Sequence, residues 1–163
     1  MQNILVTGGC GFIGSNFVRW AHRQHPEWHI TTLDKLTYAG RLENLREVMD
    51  SPRHRFVRGD IADAAVAAPL VRESDIVVHF AAETHVDRSI LAAGDFIHTD
   101  IFGTFVLLEA AREAPRPDGR GDGLHGPIRV DVVAGEGGPE PVPGASQAKG
   151  RAHLLRHGAE IED

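Results

Sequence analysis

Thr7-Gly8-Gly9-Cys10-Gly11-Phe12-Ile13-Gly14 follows an apolar, β-rich run at residues 3–7 and opens onto a helical pattern at 12–24. The three spaced glycines have separate uses. Gly8 permits a tight turn at the end of a strand. Gly11 leaves room for backbone N–H groups to approach a ligand, and Gly14 lets the following helix pack close to the strand. Working outward, further β-rich runs at 29–33, 55–59 and 76–79 alternate with helical patterns at 42–49, 64–72 and 96–114. In the last helix Ile97, Ile101, Phe105 and Leu108 recur at helical spacing, with Phe102 and Val106 widening the stripe, so this face is expected in the core. Strands separated by helices imply βαβ units and a parallel sheet between helical layers with right-handed crossovers. The expected class is α/β, a Rossmann-like doubly wound parallel sheet.

The glycine spacing alone is weak. Its weight comes from Asp34, placed 20 residues beyond Gly14 at the end of the second strand. A carboxylate there holds the ribose hydroxyls of a dinucleotide whose pyrophosphate sits on the helix N-terminus. The same carboxylate repels a 2′-phosphate and so favours NAD over NADP, a preference that the adjacent Lys35 softens. Asp60, after the third strand, has two readings: an acceptor for the adenine amino group, or the N-cap of the Ala-rich helix that follows. Ala81 and Ala82, after the fourth strand, leave room for close backbone approach beside the nicotinamide ribose.

Composition bounds the rest. The chain has 163 residues, a formal net charge of -6 and one Cys. That is enough for one domain with a core, gives no disulfide framework within the chain, and offers no basic field for nucleic acid. No apolar run approaches the ~20 residues of a membrane span, and no leader pattern precedes the first strand, so a cytoplasmic protein is expected. Residues 1–113 hold 8 Gly and 3 Pro, whereas 114–163 hold 10 Gly and 6 Pro with no aromatic residue. A boundary near Ala114 is expected, dividing a dinucleotide-binding domain from a Gly/Pro-rich tail. Within the tail a fifth strand at about 128–133 and a last helix at about 146–157 are the candidate elements.

The glycine turn, Leu33-Asp34-Lys35-Leu36-Thr37-Tyr38-Ala39-Gly40, Gly59-Asp60-Ile61 and His79-Phe80-Ala81-Ala82-Glu83-Thr84-His85-Val86-Asp87-Arg88-Ser89 together resemble the dTDP-glucose 4,6-dehydratases of the extended short-chain dehydrogenase/reductase superfamily. The resemblance covers residues 1 to about 113. It implies NAD as cofactor, contacted by Phe12, Ile13, Asp34, Lys35, Leu36, Thr37, Asp60, Ile61, Ala81, Ala82 and Thr99. It also implies a nucleotide sugar, dTDP-glucose, with Thr84 beside the hexose and the loop at Asp87-Arg88-Ser89 near it, and a dimer contact through the helix at 96–114. Asp100 departs from the Asn usual in the family, which puts a structural hydrogen bond of that helix in question.

Such enzymes oxidise the sugar at C4, eliminate water across C5 and C6 and return the hydride to C6. This takes a Tyr paired with a Lys four residues on, with an Asp acid and a Glu base in a Thr-Asp-Glu-Val-Tyr-Gly stretch. The nearest counterpart here is Val130-Asp131-Val132-Val133-Ala134-Gly135, which keeps the acid as Asp131 and places an apolar residue at the base. The only Tyr is Tyr38 and the only Lys residues are Lys35 and Lys149. With Lys149 as the family lysine, the tyrosine position is Ala145. The expected protein is therefore a truncated, catalytically impaired dehydratase descended from a shortened or frame-shifted gene. The alternative is a silent NAD-binding module, self-paired or partnering an intact relative.

The remaining candidates have plain readings. His22, His25 and His29 lie close together, but Pro26 interrupts them and no metal site is expected. His79 on a central strand is read as a core histidine bonded to backbone. Cys10 is read as a small packing residue beside the phosphate site rather than a redox group.

Overall fold

The computed structural model describes residues 1–83, 93–114 and 129–132. Five parallel strands form one sheet: β1 (Gln2–Thr7), β2 (Trp28–Asp34), β3 (His54–Arg58), β4 (Ile76–His79) and β5 (Arg129–Val132), in the order β3-β2-β1-β4-β5. β1 is central, its Thr7 registered against Leu33 of β2 and His79 of β4. Each strand lies within a residue or so of its sequence-predicted bounds. β5 adds to β4 with Asp131 opposite Val78 and Val132 opposite His79.

Alternation along β1 sorts the core into two layers. Ile4 and Val6 face α1 (Phe12–Gln24), packing with Val18, Ala21, Leu45 and Val48. Leu5 faces the opposite side, with Leu33, Val77 and the apolar faces of α2 (Ala64–Arg72) and α4 (Thr104–Glu113). Burying both faces of a parallel sheet is the arrangement that near-continuous apolar strands require. α2 is capped by Asp63, whose Oδ1 accepts the Ala65 N–H at 2.9 Å. The cap reading of Asp60 is thereby corrected.

Two helical expectations need revision. The pattern at 42–49 forms only a 3₁₀ turn, Leu42–Leu45, followed by further turns. The segment is pinned to the glycine turn, because the Arg41 N–H and Asn44 Nδ2 both donate to the Cys10 carbonyl, at 3.1 and 2.9 Å. Anchoring at that end, with Leu45 and Val48 as its fully buried apolar residues, leaves little to drive a regular helix.

The last helical stretch runs as a short α3 (Ala93–Phe96), a π segment (Ile97–Gly103) and α4. Its predicted core stripe faces outward except at Val106, with Ile97 54%, Ile101 61%, Phe105 54% and Leu108 48% exposed. The buried face is instead Thr99, Gly103, Val106, Leu107, Ala110 and Ala111. Small residues let this helix approach closely: a Cβ on Gly103 would sit 2.6 Å from Ile61 Cδ1. Periodicity marks an apolar stripe, whereas close packing of backbone selects the small-residue face.

Candidate functional site

The glycine turn lies at the carboxyl end of central β1, with strands continuing on both sides of it. Gly8 has φ +68, and its N–H donates to the Leu33 carbonyl at 2.9 Å. A Cβ at Gly8 would stand 2.5 Å from Ala81 N and 2.7 Å from Phe80 C, so the turn rests directly on the chain leaving β4. The Gly11 N–H closes the turn onto the Gly8 carbonyl at 3.2 Å, and α1 starts at the next residue with no acidic side chain in its first turn. The positive end of its dipole is left without a counter-charge from that turn. A Cβ on Gly14 would collide with the Gly8 carbonyl, so helix and turn touch backbone to backbone.

Asp34 ends β2 beside this turn. Its Oδ2 accepts the Cys10 N–H at 2.9 Å and its Oδ1 accepts the Leu36 N–H at 2.8 Å. Leu36 adopts φ +57, a left-handed conformation costing on the order of 1–2 kcal/mol in a non-glycine residue. The Asp34–Leu36 bond holds it there. Gly40 closes the other side, since a Cβ on it would lie 2.8 Å from Asp34 Oδ1.

These groups border an open cleft at the carboxyl end of the sheet. Of the sequence-predicted residues, Gly8, Gly11, Asp34, Lys35, Thr37, Asp60, Ile61, Ala81, Ala82 and Thr99 line it. Gly14 and Leu36 lie outside the lining, Gly14 against the Gly8 backbone and Leu36 against the core on the α1 side. Phe12 and Ile13, 83% and 49% exposed, stand at the start of α1 outside the lining. The sequence reading missed Leu33, Ala39, Gly40, Gly59, Phe80 and Glu83, which also border the cleft. Glu83 was legible only as the end of Phe80-Ala81-Ala82-Glu83, since its partner lies far along the chain.

Lys35 crosses the cleft. Its Nζ donates to Thr99 Oγ1 at 3.0 Å and lies 3.5 Å from Asp60 Oδ2 and 3.8 Å from Glu83 Oε1. Asp60 in turn accepts the Ala62 N–H at 3.0 Å. The ammonium therefore ties the ends of β2 and β3 to the segment after β4 and to the π segment. Asp100 Oδ1 accepts the Glu83 N–H at 2.8 Å, which ties the π segment to the chain after β4. Burial raises the pKa of Asp100 above the ordinary carboxylate value.

His79 differs from its sequence reading, because its ring meets two hydroxyls rather than backbone. Nδ1 lies 2.6 Å from Thr7 Oγ1 and Nε2 lies 3.1 Å from Thr104 Oγ1, and Thr104 Oγ1 donates to the Asp100 carbonyl at 2.6 Å. Burial pushes His79 down to about 4, so the ring is neutral at pH 7. Cys10 is fully buried, and burial, with Asp34 and Glu43 adding to it, pushes its thiol up to about 12. A thiolate nucleophile is disfavoured there. His22 pairs with Ser51 at 2.7 Å, while His25 stacks on Trp28 at 3.8 Å. Asp131 sits on β5, whereas Thr84, the Asp87-Arg88-Ser89 loop, Ala145, Lys149 and the expected helix at 146–157 lie outside the described residues. Among the described residues no helix is long and apolar enough to cross a membrane.

The chain is similar to known proteins in sequence and in fold. The family profile for GDP-mannose 4,6 dehydratase matches residues 5–120. The dTDP-glucose 4,6-dehydratase of Mycobacterium tuberculosis (strain ATCC 25618 / H37Rv) is 56% identical over 111 residues, covering 68% of this chain and 33% of that protein. The low-salt glycan biosynthesis protein Agl12 of Haloferax volcanii is 52% identical over 113 residues, covering 69% and 36%. Among solved structures, dTDP-glucose 4,6-dehydratase from Bacillus anthracis in complex with NAD superposes with a TM-score of 0.67 at 33% identity, covering 82% of this chain and 37% of that one. The Streptomyces venezuelae enzyme of the same name, also with NAD bound, gives 0.64 at 51% identity, covering 69% and 36%. The chain thus spans about a third of the length of the curated relatives it matches. With the profile matched across most of the sequence, the chain belongs to the GDP-mannose 4,6 dehydratase family.

Proposed function

We propose that the chain binds NAD in the cleft at the carboxyl ends of β1 to β4, with residues 1–113 as its cofactor-binding unit. The observation that carries this reading is Asp34, a carboxylate fixed by two backbone N–H groups at the cleft edge beside a turn whose glycines leave no room for a Cβ. Asp34 takes the adenosine ribose hydroxyls, and the turn with the start of α1, at Phe12 and Ile13, takes the pyrophosphate. Lys35, Leu36 and Thr37 follow the ribose, Asp60 and Ile61 border the adenine, and Ala81, Ala82 and Thr99 border the nicotinamide ribose. When bound, NAD supplies a hydride acceptor. The relatives' names support dTDP-glucose as the nucleotide sugar, with Thr84 beside the hexose.

On its own the chain is expected to bind cofactor without efficient turnover. It keeps Asp131 and Lys149 but has no Tyr-x-x-x-Lys pair, and each missing acid/base group is worth roughly 10²–10⁴ in rate. Incubation with dTDP-glucose should leave the alkali-induced absorbance of a 4-keto product flat, and a rising trace would restore the working dehydratase.

NAD should raise the melting temperature, by the equivalent of about 2.7 kcal/mol when present at 100 times its Kd, with a smaller rise for NADP. Asp34→Ala should abolish the rise. No shift with millimolar NAD in the unaltered chain would refute the assignment.

The outward stripe of Ile97, Ile101, Phe105 and Leu108 supports pairing with a second copy. Light scattering should then report a dimer that Ile101→Asp reduces to a monomer; a monomeric unaltered chain overturns the pairing.

A further inference from the structure

A hydroxyl has one hydrogen to give, and this fixes the direction of the buried chain through His79. Thr104 Oγ1 spends its hydrogen on the Asp100 carbonyl at 2.6 Å, so toward His79 it can only accept. The proton of the ring must therefore sit on Nε2, and bare Nδ1 receives the Thr7 hydroxyl hydrogen at 2.6 Å. The result is a one-way series from Thr7 to His79 to Thr104 to the Asp100 carbonyl. The Asp100 carboxylate then holds the Glu83 N–H at 2.8 Å.

These links join the last residue of β1 to the π segment and back to the chain after β4, enclosing Phe80–Ala82. That segment is the one against which Gly8 packs with no space for a Cβ, and its Ala81 and Ala82 line the cleft. The neighbouring backbone bond, Phe80 N–H to the Thr7 carbonyl at 3.0 Å, fixes only its first residue.

We propose that His79, as the neutral Nε2–H tautomer, is a positioning residue that sets the Phe80–Glu83 side of the cleft against the glycine turn and thereby tunes dinucleotide affinity. The affinity part rests on the NAD reading above; the positioning part does not. Among the described residues the ring nitrogens pair with the hydroxyls of Thr7 and Thr104 and with no charged side chain. Its burial keeps the ring neutral, which the tautomer requires.

The full 163-residue chain allows the two parts to be read separately. Ring ¹⁵N NMR of His79 should give a protonated Nε2 and a bare Nδ1. Thr104→Val keeps the side-chain shape and removes the acceptor, so Glu83 amide exchange should speed up about tenfold and NAD affinity should fall about tenfold, the worth of one hydrogen bond of ~1.4 kcal/mol. Thr104→Ser should restore both to within about twofold. An Nδ1–H ring in the unaltered chain, or Glu83 exchange unchanged by Thr104→Val, overturns the proposal. Absence of NAD binding to the unaltered chain would sink the dinucleotide reading and the affinity part with it, while the tautomer and the exchange still decide the positioning.

Discussion

Gly8→Ala should lower the melting temperature by about 10 °C and cost most of the affinity for NAD. Two penalties combine at this position. An alanine held at φ +68 is strained by on the order of 1–2 kcal/mol, and its Cβ would stand 2.5 Å from Ala81 N and 2.7 Å from Ala81 Cα. Both neighbours are backbone, so no side chain can swing aside, and overpacking of this kind costs roughly 1–3 kcal/mol more. For a chain of this size each kcal/mol moves the midpoint by about 2–4 °C. The displaced atoms belong to the cleft lining, which is why binding falls together with stability. Gly94→Ala is the matched control. A Cβ there meets nothing within 4 Å, and alanine gains about 0.5–1 kcal/mol over glycine in a helix. Equal melting of the two variants, measured by calorimetry, would show that the turn does not rest on the chain leaving β4.

That prediction was largely available from the sequence, because the glycine spacing encodes backbone geometry, and backbone geometry is local. The same holds for Asp34, whose place at the end of β2 follows from strand length. What could not be read was whatever depends on distant partners. In the sequence Lys35 reads as a modifier of cofactor choice and, by resemblance, as a cofactor contact; its bridge to Asp60, Glu83 and Thr99 is visible only once the folded sheet brings them together. In the helix at 96–114 Ile97, Ile101 and Phe105 carry the stronger apolar signal, whereas Gly103, Ala110 and Ala111 carry the closer fit and, with Val106, form the buried face. A π segment, with its wider turn, has no composition of its own to announce it. Leu36 at φ +57 was equally silent, since leucine gives no hint of a left-handed backbone and the bond that imposes it comes from Asp34.

The buried histidines lead to the second large effect, a loss of stability on mild acidification. His54 and His79 are 9% and 3% exposed, and burial pushes each down to about 4 from an ordinary 6.5. His22, which also acts on His54, is lowered as well by burial and by Arg53. Between about pH 6.5 and pH 4 the unfolded chain therefore binds more protons than the folded one. Stability present above about 6.5 is lost as the pH falls, levelling off below about 4. A shift of this size is worth about 3 kcal/mol for each of the two residues, a large share of the ~5–15 kcal/mol that holds a typical domain. Asp100, raised by burial, acts in the opposite direction nearer the ordinary carboxylate range and offsets part of the loss.

The two histidines can be told apart by chemistry. His54 has its Nε2 on Thr32 Oγ1 at 3.1 Å, while its buried Nδ1 has no partner among the described residues, so the charged ring would carry an unpaired N–H and feel the charge of His22. His54→Leu removes that proton site and should reduce the stability lost between pH 7 and pH 4 in urea titrations by about half. His79→Phe removes the other site but also leaves the Thr7 hydroxyl without its acceptor, so it should flatten the pH dependence from a lower starting stability. Urea midpoints that stay level from pH 7 to pH 4.5 in the unaltered chain would contradict neutral, buried imidazoles at both positions. A slope unchanged by His54→Leu would move the acid sensitivity onto His79 and the Thr7–Thr104 chain that it joins.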